Sequence, residues 1–125
     1  MTNSQLRYIK PTLLKQKQAK LNLYEFTKQA WDNIETDEFL DGWYIKAECD
    51  YMQAVFEGRI SNLIINVPPR TLKSTISSVM FIAWVWANNP KKKFMTASYS
   101  AILSYDIHNK CRSLINSEWY QYNFP

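Results

Sequence analysis

The 125-residue chain is 46% hydrophobic, with five Trp, eight Tyr and six Phe, and carries a formal charge of +4. That content of large apolar side chains excludes a disordered polypeptide, and the length allows one small domain with a core. The charge is uneven: residues 1–20 hold five basic and no acidic groups, residues 21–60 three and nine, residues 61–125 seven and two. Such a layout suits a protein working near DNA and equally suits a solvated surface.

Residues 1–20 are polar and basic and are interrupted by Pro11, which predicts an arm or a frayed helix. Phe26, Ala30 and Ile34 recur at helical spacing and predict a helix from about Leu23 to Glu35. The acidic stretch Glu35 to Asp41, ending at Gly42, is a loop. Ile45, Cys49, Met52 and Phe56 share one helical face, and Gly58 supplies a C-terminal stop. Leu63 to Val67 has the look of a buried strand, and Ser74 to Ala87 of an apolar helix closed by Asn88-Asn89-Pro90. Lys93 to Ser98 predicts a second strand. Ser100 then caps a helix carrying Leu103, Ile107, Cys111 and Leu114. Two strands separated by a helix make a βαβ unit, with parallel pairing and a right-handed crossover.

Cys49 and Cys111 lie far apart with no Cys-x-x-Cys pair, so neither a zinc site nor a disulfide framework is implied. Both are expected to pack as small apolar residues, in keeping with a reducing cytoplasm. The N-terminus lacks the apolar core of a signal peptide. The apolar run from Ile76 to Ala87 is shorter than the ~20 residues that cross a bilayer.

The segment Val67-Pro68-Pro69-Arg70-Thr71-Leu72-Lys73-Ser74-Thr75 joins the first predicted strand to the apolar helix. Strand, short loop with Lys-Ser/Thr, then helix is the layout of a phosphate-binding loop. A helix start offers unpaired N–H groups and a positive dipole end to an anion. Lys73 would reach the outer phosphates and the Ser74 hydroxyl would coordinate Mg²⁺. The usual pattern has glycine first and again before the lysine, whereas Val67 and Leu72 stand here. Glycine at such a position tolerates unusual backbone angles and close phosphate approach. The same residues also describe a rigid Pro-Pro turn followed by an amphipathic helix with a surface lysine.

Taken with its surroundings, Gly58 to Arg70 followed by Lys73-Ser74 resembles the large terminase subunit of tailed bacteriophages. That family often carries Pro-Pro-Arg in this loop, and some members also lack the glycine before the lysine. Trp43-Tyr44-Ile45 upstream is similar to the family's segment before its first strand, where His commonly occupies the Tyr44 position. Val79 to Trp84, Pro90, Ala97 to Ser100, Arg112 to Ile115 and Trp119-Tyr120 follow the family's order downstream. The likeness covers Gly42 to the C-terminus.

The resemblance implies an α/β fold: a partial RecA-like parallel sheet of the P-loop NTPase type, with flanking helices and a helical N-terminal segment. Residues 1–41 would form a basic arm and helical lead-in, and residues 42–125 the N-terminal part of the ATPase domain. It implies ATP and Mg²⁺ as cofactors, with Pro69, Arg70, Thr71, Leu72, Lys73, Ser74 and Thr75 around the phosphates. Lys73 and Arg70 would act on phosphoryl charge, Ser74 would hold the metal, and Thr75 would support the loop through its backbone nitrogen. Tyr44, with Trp43, would stack on adenine; aromatic residues ahead of a helix serve equally as core. Implied partners are double-stranded DNA, the portal and the small terminase subunit, in the cytoplasm of a phage-infected or lysogenic host. The full family member hydrolyses ATP to drive double-stranded DNA into a procapsid and cuts it with a separate nuclease domain.

Lys91-Lys92-Lys93 suits contact with DNA phosphate and equally a solvated turn. His108 stands alone, and Ser98 to Ser100 lies where α/β sheets bind ligands. After the loop the only acids are Asp106 and Glu118. Ile102 to Asp106 superficially resembles an acid-ended strand, yet its periodicity is helical. The acidic motif that holds Mg²⁺ in such ATPases is therefore expected beyond Pro125. Two other classes fit the same residues: an inactive prophage remnant, and a small DNA- or partner-binding module using the basic arm. Little or no ATP turnover is expected of this chain alone; Mg²⁺-dependent turnover that disappears in Lys73→Ala would contradict that.

Overall fold

The computed structural model describes residues 13–68 and 72–124. Among these the chain is helical: α1 (residues 13–21), α2 (Leu23–Ala30) with a 3-10 turn at Trp31–Asn33, α3 (Trp43–Phe56), α4 (Lys73–Thr75), a π turn (Ile76–Met80), α5 (Phe81–Asn88), α6 (Ala101–Asn116) and α7 (Glu118–Asn123). The helical path is unbroken from Lys73 to Asn88.

Local chemistry sets the helix ends. Asn22 caps α2, its side-chain oxygen accepting the Glu25 N–H at 3.2 Å. The acidic loop after the 3-10 turn is tied back to α2 by a hydrogen bond from the Tyr24 hydroxyl to Asp41. That bond, with burial, pushes the Tyr24 phenol up to about 12. Helix α3 ends at Phe56, and Gly58 then takes a φ of +78°, a left-handed angle that other residues adopt only with strain.

The core forms around the π turn and α5. Ile76 and every residue from Val79 to Val85 are buried, so this segment is apolar on all sides and must be surrounded. Helices α2, α3 and α6 pack against it. Trp84 stacks edge-on against Phe56 with ring centroids 5.0 Å apart. Its indole N–H donates to the carbonyls of Ala19 and Lys20, both at 3.1 Å, which satisfies orphan acceptors at the end of α1. Gln53 clamps the α1–α2 junction, donating to the Leu21 carbonyl and accepting the Leu23 N–H, both at 3.1 Å. On the far side Tyr120 donates to the Ala83 carbonyl at 2.8 Å, and Phe26 packs among Trp119, Tyr120 and Phe124.

The predicted parallel sheet does not form, and with it the RecA-like α/β architecture is overturned: no strand occurs among the described residues. Leu63 to Val67 does keep a strand's alternation, with Leu63, Ile65 and Val67 half-buried and Ile64 and Asn66 exposed. Its inward side chains face α3 rather than a neighbouring strand. The second run, Lys93 to Ser98, is exposed throughout and is anchored to α5 by its Phe94 ring against Phe81 and Trp86. Two short strands alone make a marginal sheet. Here the apolar helix finds its cover in other helices, so nothing draws the two runs together.

The helix predictions fare better. The Leu23–Glu35 helix appears as α2 plus the 3-10 turn, the Ile45–Phe56 face lies on α3, and the helix after Ser100 is α6, although the Ser100 side chain makes no capping bond. Cys49 and Cys111 are free and buried, their thiols raised to about 12 and about 11, mainly by burial. No described helix is long and apolar enough to cross a membrane. Trp84→Phe keeps an aromatic ring but leaves the Ala19 carbonyl unpaired, while Lys20 still accepts from Asn88 at 2.9 Å; a loss of about 1–3 kcal/mol is expected, measured by urea unfolding.

Candidate functional site

Pro69, Arg70 and Thr71 lie outside the described residues, so the site is built from the two ends of the loop. Leu72 immediately precedes the helix with φ 62° and ψ 13°, and it is the one described non-glycine residue in the left-handed region. This is the position where phosphate-binding loops place glycine. Its side chain is half-buried against the core. No side chain caps the helix start that follows. The Ile76 N–H reaches back to the Leu72 carbonyl at 2.9 Å, and the Ser77 hydroxyl to that of Lys73 at 2.7 Å, which fixes the first turn.

Lys73 and Ser74 are exposed, and Thr75 is half-buried. Ser74 and Thr75 line a cavity of about 360 Å³ whose opposite wall is the Ser98–Tyr99 turn and the first half of α6. Asp106 and Lys110 face the same space. The Ser98 hydroxyl bonds the Ser100 carbonyl at 2.8 Å and shares a 2.7 Å contact with the Ser104 hydroxyl. Lys110 is held by Glu35 of the acidic loop at 2.7 Å. The fold thus brings Ser74, Thr75 and the Ser98 turn to one cavity, although no sheet edge forms among the described residues. Asp106 joins them from a helix; in the sequence its helical setting argued against any metal role.

The donors around this cavity are hydroxyls and one carboxylate. An all-oxygen set suits Mg²⁺ shared with substrate phosphates rather than caged by protein alone. Among the described residues no three His, Cys, Asp or Glu side chains converge on a metal position. Ser74 and Asp106 line this cavity from opposite elements, with Lys110 beside them.

Trp43 and Tyr44 fall elsewhere, in a second cavity of about 310 Å³ formed by the start of α3 and residues 63–67. Gly42 allows this: a Cβ there would sit 2.6 Å from the Tyr44 ring, which lies over the backbone. The wall of this cavity includes Glu48, which the sequence reading passed over. Glu48 is 6% exposed, and neither carboxylate oxygen has a hydrogen-bond partner. Burial raises its pKa, and the positive charge of Lys73 pulls it back in part. The signal was present in sequence, since Tyr44, Glu48 and Tyr51 follow i, i+4, i+7 beside the core face of α3.

No family model, curated protein or solved structure matches the chain.

A buried carboxylate without a partner is costly, and the sign of its pH dependence follows from the raised pKa. Folding takes up protons between the unfolded and folded values, so stability falls as pH rises from the ordinary carboxylate range through the raised one. Below that window both states are protonated and the penalty is absent. Glu48→Gln is therefore expected to exceed the parent by about 1–3 kcal/mol at neutral pH. That gain should shrink as urea unfolding is repeated from about pH 7.5 down to about pH 4.

Proposed function

We propose that this chain holds the phosphates of ATP at the Lys73 helix start, as the nucleotide-binding part of a terminase-type DNA-packaging ATPase. The observation that carries the reading is the left-handed backbone of Leu72 directly before Lys73. A left-handed leucine costs about 1–2 kcal/mol, and such strain persists where the surroundings impose it, often at ligand sites. The chain thus reproduces with leucine the backbone shape that glycine usually supplies to a phosphate loop.

In this reading Lys73 pairs with the outer phosphates, and the first-turn N–H groups of the helix accept the anion. Ser74, with Asp106 opposite, holds the Mg²⁺, whose charge would neutralise the phosphate oxygens. The parts proposed for Arg70 and Thr71, which lie outside the described residues, rest on the sequence resemblance. Lys110 supplies a cation to the cavity wall while tethered to Glu35. Coupling to double-stranded DNA, to a portal and to a small terminase subunit belongs to the same proposal and rests on the sequence resemblance. The helical architecture lends that resemblance no support; the reading stands on the loop itself.

The experiment is a thermal melt of the parent and three variants with and without Mg·ATP. The parent should gain about 2.7 kcal/mol at a hundredfold excess of ATP over its dissociation constant, seen as a higher Tm. Lys73→Ala should lose the shift. Leu72→Gly, which accepts the left-handed angle, should keep it. Leu72→Val, whose branched side chain resists that angle, should lose it and melt lower. An ATP shift of equal size in Leu72→Val and the parent would remove the basis of the proposal.

A further inference from the structure

The cavity between α3 and residues 63–67 has a composition that the nucleotide reading leaves unexplained. Its walls are aromatic and aliphatic, from Trp43, Tyr44, Tyr51 and the half-buried Leu63, Ile65 and Val67. Set into them is one carboxylate, Glu48, with both oxygens shut from water and no hydrogen-bond partner. Its volume of about 310 Å³ is at the small end of ligand sites, which are typically lined by apolar groups with few convergent polar ones. Trp43 is 84% exposed and stands at 85° to the Tyr44 ring, 6.3 Å between centroids, so two rings meet at a corner by the cavity.

We infer that this cavity is a binding site for a small organic ammonium ion, one carrying an apolar or aromatic body. The carboxylate of Glu48 would receive the ammonium, and the rings of Trp43 and Tyr44 would face the cation with their negative π clouds. The aliphatic side chains of residues 63–67 would cover the body of the ligand. Both oxygens are shut from water in this structure, so the binding step would include a turn of the Glu48 side chain toward the cavity. A ligand cation would supply the counter-charge that the fold withholds, since a buried charge is tolerated when it is paired and hydrogen-bonded. Lys73 does not fill this role: it lies on the exposed surface and makes no ion pair with Glu48 among the described contacts.

This site stands independently of phosphate binding at Lys73, and its test uses a different ligand. Phenethylammonium and its neutral counterpart 2-phenylethanol are titrated calorimetrically into the whole chain at about pH 7.5. The ammonium should bind at least about tenfold more tightly than the alcohol. Glu48→Gln should bring the ammonium down to the level of the alcohol while melting no lower than the parent, which separates lost binding from lost folding. Trp43→Ala, at an exposed position, should weaken the ammonium about two- to fivefold through the lost ring face. Equal affinity for ammonium and alcohol, no binding of the ammonium, or unchanged binding in Glu48→Gln would each overturn the inference. Adenosine displacing the ammonium and binding more tightly would overturn it too, by giving the cavity to a base. A parent that takes up the ammonium without an ATP-induced shift in melting would sink the nucleotide reading alone.

Discussion

Burial of one helix, from Ile76 through Val85, governs the arrangement of every other element. A helix apolar on all sides cannot sit at a surface, so α2, α3 and α6 have to enclose it. Enclosure brings polar backbone inside, and the polar ends of the aromatic residues answer that. Trp84 satisfies the last carbonyls of α1, and Tyr120 satisfies a carbonyl of α5. Large rings thus serve twice, as apolar volume and as hydrogen-bond donors.

The functional features lie where this enclosure begins. The chain enters the central helix through Leu72, and the half-buried leucine side chain anchors it there in a left-handed angle. Residues 63–67 lead into the loop along α3 and cover Glu48 and the aromatic cluster. Lys73 therefore stands between two cavities of opposite character. One is lined by hydroxyls and charges, the other by rings and a lone carboxyl. The charge of Lys73 offsets part of the effect of burial on Glu48.

Helical segments were legible because each carries its own evidence: the Phe26-Ala30 and Ile45-Cys49-Met52-Phe56 spacings and the Gly58 stop. The two runs taken for strands carried only a local signal. Leu63 to Val67 even keeps the period-two burial of a strand, yet a strand is completed by a neighbour, and residue order says nothing of whether one arrives. Phe94 settles the second run by docking onto α5. Lys73-Ser74-Thr75 and the Ser98 turn stood out in the sequence, and the fold brings Ser74, Thr75 and Ser98 to one cavity. Asp106 was weighed and set aside for its helical setting, while Lys110 and Glu48 escaped notice because their surroundings depend on which helix face meets which wall.

By itself the sequence determined three of the helical faces, that the segment after Lys73 must be buried, and which residue types flank the loop. Those properties depend on spacing, caps and side-chain chemistry within a few residues. Tertiary structure alone decided three further points. The predicted strands stay apart, Leu72 takes the angle of a glycine, and Glu48 is sealed without a partner beside aromatic rings. Each depends on contacts between segments distant in sequence, where burial and backbone geometry are set by packing rather than by local preference.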